Sequence, residues 1–172
     1  MKRIQDSTFL LVIIFTFTAI IGGEAIAQDK FTTFILVRHA EKVADGTKDP
    51  NLKEEGKARA ESLVRLLKNT PVTAIYSTAF IRTRETIAPL AAAKSLEVKI
   101  YEALKTEVID KIVKENEGGT VVICGHSNNI PRIANYLTST EAYKDFEDSD
   151  YGNILIVTIA QKGKASVTPL RY

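Results

Sequence analysis

Phe34-Ile35-Leu36-Val37-Arg38-His39-Ala40-Glu41-Lys42 is an apolar run that stops at an Arg-His pair. Phe31 to Val37 is rich in apolar and β-branched residues and reads as a buried strand. The arrangement returns late in the chain. Thr120 to Cys124 is an apolar strand, followed by Gly125-His126-Ser127-Asn128. These are the only 2 histidines in the sequence. In an open α/β fold, ligands bind outside the carboxyl ends of the strands, so both imidazoles are aimed at one crevice. Arg38, and Arg82 in the Ser-x-x-x-x-Arg segment from Ser77, add two guanidiniums suited to clamping a phosphoryl group. The pattern predicts a phosphate-transferring site with a histidine nucleophile.

The elements around these strands alternate. Ala44 to Asn51, with Asp, Gly and Pro, is a loop. Leu52 to Lys68 carries Ala58, Leu63, Leu66 and Leu67 among charges, an amphipathic helix pattern that Pro71 closes off. Val72 to Tyr76 is a short strand, and Ala79 to Lys94 a helix with a kink expected at Pro89. Leu96 to Tyr101 is a strand, Leu104 to Lys114 a helix ended by Gly118-Gly119, and Asn129 to Leu137 a helix. Thr138 to Gly152 is acidic and irregular. Asn153 to Ala160 and Ala165 to Leu170 form a closing hairpin around Gln161-Lys162-Gly163-Lys164. Alternating strands and helices imply a three-layer α/β/α sandwich with a mostly parallel sheet, and the hairpin implies one antiparallel strand.

Residues 1–27 are read apart from this domain. Lys2 and Arg3 precede an apolar stretch from Phe9 to Ile21, and Ala25-Ile26-Ala27 is a small-x-small cleavage site. That is the pattern of a secretory signal peptide, and the apolar run is short for a transmembrane helix. The expectation is a secreted or periplasmic domain from Gln28 to Tyr172, with no stable membrane insertion after cleavage; an uncleaved N-terminal anchor is the alternative. The formal charge of +2 is too mild to argue for nucleic acid, and no basic run or aromatic platform supports it. Cys124 is the sole cysteine, so no intrachain disulfide forms, and its apolar strand makes it a small buried hydrophobe. Oligomeric state is not readable.

Four motifs occur in order: Arg38-His39-Ala40-Glu41-Lys42, Asp49-Pro50-Asn51-Leu52-Lys53-Glu54-Glu55-Gly56, Ser77 to Thr86, and Gly125-His126-Ser127. Together they resemble the histidine phosphatase superfamily, the phosphoglycerate mutase-like group, across nearly all of the chain after the signal segment. The resemblance implies that His39 is the nucleophile, that Arg38, Arg82 and His126 form the phosphate pocket with Ser127 beside it, and that no cofactor is needed. The short connections, without an inserted cap, are similar to the small phosphohistidine-phosphatase-type members. Among exported members, the phosphatases of lipopolysaccharide-core heptose phosphates are an analogy of size and location only. Elementary chemistry agrees with the assignment. The neighbouring guanidiniums disfavour an imidazolium and keep the nucleophile neutral. Attack through His39 splits hydrolysis into two steps. Charge stabilisation by His126 and the following helix N-terminus supplies the rest. A metal site is not expected, because guanidiniums flank both imidazoles.

Ser77 is expected to cap the helix rather than react. Arg84, two positions from Arg82, is expected to point away from the site. The sequence departs from the family in three places. Ala40 stands where mutase-type members have Gly. Asp45 stands where they have a phosphate-touching Asn. Tyr101 to Glu107 lacks the Gly-containing segment that carries their proton donor, and Ser127 stands where acid phosphatases have an Asp. Glu41, Glu102 and Glu107 are the candidate proton donors, each with a solvated surface charge as its alternative. The reading is therefore an exported, metal-independent phosphomonoester hydrolase acting on a small phosphorylated substrate. Its rivals are a non-catalytic phosphate-binding or sensor domain of the same fold, and a structural envelope protein held by its N-terminal segment.

Overall fold

The computed structural model describes residues 30–103 and 105–172, so the expected signal segment lies outside the described residues. The strands are β1 (Thr32–Arg38), β2 (Ala74–Ser77), β3 (Val98–Ile100), β4 (Thr120–Gly125), β5 (Asn153–Gln161) and β6 (Lys164–Arg171). The helices are α1 (Glu54–Leu66), α2 (Ile81–Lys94), α3 (Thr106–Glu115) and α4 (Asn129–Thr138). Among the described residues the strands form one sheet in the order β3-β2-β4-β1-β5-β6. The pairings β2–β3, β2–β4 and β1–β4 are parallel, while β5 runs antiparallel to both β1 and β6. This is the expected sandwich. No helix among the described residues is long and apolar enough to cross a membrane.

The unbroken apolar run of β1 follows from burial on both faces. Phe34 and Leu36 join the core layer that includes Ile109 and Ile112 of α3 and Ile130 and Ile133 of α4. Ile35 and Val37 join the opposite layer with Leu63 of α1 and Ile87 and Leu90 of α2. Cys124 is buried, and desolvation pushes its thiol up, so it packs as a hydrophobe.

Two local expectations change. Helix α1 begins at Glu54 because Lys53 donates its backbone N–H to the Glu41 carbonyl and Leu52 bridges to Lys42, holding both residues extended. Ser77 is not a cap. It ends β2, its hydroxyl donates to the Thr78 carbonyl, and α2 starts after Phe80. Asp49, from the loop before α1, caps α2 instead by accepting the Ile81 N–H at 2.8 Å.

Gly56 is set by the approach of α1 to the segment after His39. A Cβ there would run into the Glu41 carbonyl. Gly56→Ala must push the Ala40-Glu41 backbone away, a clash that costs about 3 kcal/mol. The expected outcome is a melting temperature lowered by roughly 10 °C; an unchanged melting temperature would mean that this contact does not hold the segment after His39.

Candidate active site

Parallel pairing of β1 with β4 puts Arg38 level with Gly125, so the next residues, His39 and His126, leave the sheet side by side. The backbone N–H of His39 continues the ladder to the Gly125 carbonyl at 2.8 Å. The two rings lie 5.4 Å apart between centroids in an edge-on arrangement. Gly125 permits this, since a Cβ would collide with the Asn129 amide and the Tyr101 hydroxyl. That amide accepts the His126 backbone N–H and donates to Tyr101. A cavity of about 430 Å³ opens here, lined by Arg38, His39, Arg82, His126, Ser127 and Asp148, among others.

His39 is 4% exposed. Its Nδ1 lies 2.8 Å from the Ala40 carbonyl. A carbonyl only accepts, so Nδ1 carries the proton and Nε2 keeps its lone pair. Burial, and then the charges of Arg38 and Arg82, lower its pKa to about 3. For His126, Arg82 Nη2 donates to Nδ1 at 3.4 Å, so Nε2–H is the nitrogen facing Thr78 Oγ1 at 3.1 Å. Burial and Arg82 lower the His126 pKa to about 4. Both rings are neutral above pH 5.

This has a kinetic signature. An ordinary histidine loses its free base below pH 6.5 and would cost kcat/KM about thirtyfold by pH 5. Corrected for ionisation of the substrate, kcat/KM of this protein is expected to stay level between pH 7.5 and 5. Stability moves the other way. The unfolded chain takes up protons on both histidines below pH 6.5, whereas the folded chain does not until about pH 4 and 3. Their contribution is therefore complete above 6.5 and is lost as pH falls towards 3. A His39→Gln, His126→Gln double variant should lose less melting temperature between pH 7 and 5 than the parent.

Arg38 is 2% exposed and held by the acidic segment. Nη1 donates to the carbonyls of Glu147 and Asp150 at 2.7 and 3.0 Å, and Nη2 to that of Asp148 at 3.1 Å. Its guanidinium lies 4.3 Å from the Tyr151 ring centroid. Arg82 ion-pairs with Asp49 at 3.4 Å and stacks on Phe80 at 4.3 Å. The Nε atoms of both arginines are buried without a partner among the described residues. They are orphaned donors within the layer beneath the cavity. Arg84 is exposed, as its spacing from Arg82 predicts.

Three threonines, missed in the sequence reading, support this layer. Thr78 Oγ1 bonds Thr83 Oγ1, and Thr86 Oγ1 accepts the Ala40 N–H at 2.9 Å while donating to the Arg82 carbonyl. Thr83 and Thr86 are fully buried. Their signal is legible afterwards: Thr83, Thr86, Ile87, Leu90 and Ala91 form the inward stripe of α2, and two of the five are polar. The acidic segment is irregular, as its composition implies, and Asp148 within it lines the cavity. It docks on α4 through Asn135, which bonds both the N–H and the carbonyl of Tyr143, and through the Arg132–Asp145 pair.

The candidate acids are not gathered at Nε2. Glu41 accepts three hydrogen bonds from Arg59, the shortest at 2.6 Å. Burial opposes its ionisation, yet the Arg59 bonds prevail and its pKa is lowered, which suits an anchor better than a donor. Glu102 is exposed and pairs with Lys105 at 2.5 Å. Glu107 is exposed on α3. Asp45 turns onto Thr47, accepting its N–H at 2.9 Å and its hydroxyl at 2.7 Å. Its carboxylate is thus engaged within its own loop.

The sequence model described as the histidine phosphatase superfamily (branch 1) matches residues 34–106. No curated protein sequence matches the chain. Solved structures share the phosphoglycerate mutase-like fold. The protein histidine phosphatase SixA complexed with tungstate has a TM-score of 0.68 at 14% identity, over 81% of this chain and 96% of that one. YhfR of Bacillus stearothermophilus has a TM-score of 0.66 at 18% identity, over 80% and 95%. A phosphoserine phosphatase of Entamoeba histolytica, in complex with 3-phosphoglyceric acid, has 0.65 at 20% identity, over 82% and 97%.

Proposed function

We propose, from the premise that this chain has the fold of the histidine phosphatase superfamily and matches its sequence model over residues 34–106, that it hydrolyses phosphomonoesters through a phosphohistidine on His39. The observation that carries the proposal is the Nδ1 bond of His39 to the Ala40 carbonyl. It leaves a neutral Nε2 lone pair in a cavity lined by two arginines and a second imidazole.

The steps balance without a further reactant. Nε2 attacks phosphorus, and the bond to the ester oxygen breaks. The departing oxygen takes a proton from water. Arg38 and Arg82 offset the charge spread over the equatorial oxygens, and the neutral His126 ring lines the same pocket. Water then attacks phosphorus and yields a proton to the hydroxide left by the first step, the phosphorus–nitrogen bond breaks, Nε2 regains its lone pair, and inorganic phosphate leaves. Metal independence belongs to the same proposal, since guanidiniums beside both imidazoles oppose a bound cation. Export, read from residues 1–27, is its remaining part, tested by the N-terminus of the protein recovered from the cell envelope or medium.

The engaged state of Glu41 and the exposed positions of Glu102 and Glu107 favour one rival, a phosphate-binding domain without turnover. One experiment separates the two. The protein is mixed with a ³²P-labelled aryl phosphate in excess chelator, quenched in alkali, and analysed for label. Alkali-stable, acid-labile label on His39 together with released phosphate supports the hydrolase. Phosphate binding without label or release supports the sensor.

A further inference from the structure

A second cavity, of about 540 Å³, adjoins the phosphate pocket. Phe80, His126 and Asn128 line both. Beyond that shared edge the lining is Ala79, Tyr101 and Ala103, with Thr78, Asn129, Glu102 and Lys105 at its polar positions. Phe80 is 41% exposed although it stacks on Arg82 and meets His126 edge-on at 5.0 Å.

We infer that this cleft binds the leaving group, and that it selects a flat, uncharged, apolar one, so that the substrates are aryl-type phosphomonoesters rather than sugar phosphates. The inference rests on the proposed phosphatase reading. Three observations converge on it. The cleft has the size of a small-ligand site and joins the phosphate pocket at Phe80, His126 and Asn128. Its walls present ring and methyl surface, which gains nothing from sugar hydroxyls and would strip them of water. Its two charged groups neutralise each other, because Lys105 Nζ sits 2.5 Å from the Glu102 carboxylate, so neither calls for a charged leaving group. The absence of a gathered carboxylic acid points the same way. An aryl oxygen departs with a pKa of about 10 and needs little protonation, whereas an alkyl oxygen needs a donor.

The test compares one ring with two at nearly equal leaving-group acidity. Dissociation constants of phenylphosphonate and 2-naphthylphosphonate, which cannot be hydrolysed, are measured by calorimetry. The second ring is expected to tighten binding about tenfold. Ala103→Phe fills the cleft and should erase that ratio while inorganic phosphate binds as before. If this variant is misfolded, Phe80→Ala, which removes one wall, should also shrink the ratio. Equal affinities of the two phosphonates for the parent protein would overturn the cleft assignment. In parallel, kcat/KM is measured for phenyl phosphate, 2-naphthyl phosphate and glucose 6-phosphate. A sugar phosphate turned over as fast as the aryl esters would overturn the substrate class. No turnover of any ester, with the phosphonate ratio intact, would reject the phosphatase reading and leave the cleft standing.

Discussion

His39→Gln is expected to lower kcat on an aryl phosphate by at least about a thousandfold, with the fold intact. Glutamine matches the imidazole roughly in length and keeps an N–H for the Ala40 carbonyl, but its amide nitrogen has no lone pair to offer phosphorus. The arginines and His126 are untouched, so phosphate affinity should stay within about threefold of the parent. That split between lost turnover and kept binding distinguishes a nucleophile from a residue that merely shapes the pocket. It is read by steady-state kinetics and by titration with inorganic phosphate. A variant with more than a tenth of parental turnover would remove His39 from the mechanism.

The second large effect is at Arg38. Arg38→Met keeps the apolar stem and removes the guanidinium. Two consequences follow from one deletion. The carbonyls of Glu147, Asp148 and Asp150 lose their shared donor, and with it the segment's tie to the end of β1. Stranding partners around a buried cation's place costs about 3 kcal/mol, a drop of roughly 10 °C in melting temperature for a domain of this size. The pocket also loses one of its two guanidiniums, which should lower kcat/KM about a thousandfold. Arg38→Lys rescues little, because an ammonium cannot reach three carbonyls in a fork. Arg82→Gln is the control. Its partners are an Asp49 carboxylate and the His126 ring, both at 3.4 Å, so it should lose comparable activity with a smaller drop in melting temperature. Equal thermal losses for the two variants would mean that Arg38 does not anchor the segment.

Much of the site was legible because strands carry their information locally. An apolar run ending in Arg-His, and another ending in Gly-His-Ser, state both the strand and the place where it opens into the crevice. The i, i+2 spacing of Arg82 and Arg84 allows only one of them to face inward, and the resemblance of Ser77 to Arg82 to the family motif named Arg82. The acids were the opposite case. Glu41 is adjacent to the nucleophile's neighbour in sequence, yet its carboxylate turns to Arg59 on α1 and leaves Nε2 alone. Proximity along the chain does not reveal which way a side chain finds its partner.

By itself, then, the sequence determined the layered α/β architecture and the parallel placement of His39 and His126 at neighbouring strand ends. Only the tertiary structure decided what each of these groups is bonded to. It set the tautomers of both histidines, gave Asp49 its role on α2, and closed the 147–150 carbonyls around Arg38 across 109 residues of chain. The physical reason is the range of the forces involved. Hydrophobic periodicity is written over a few residues and survives any exchange of partners, whereas a hydrogen bond has a single geometry that exists only once distant segments have docked.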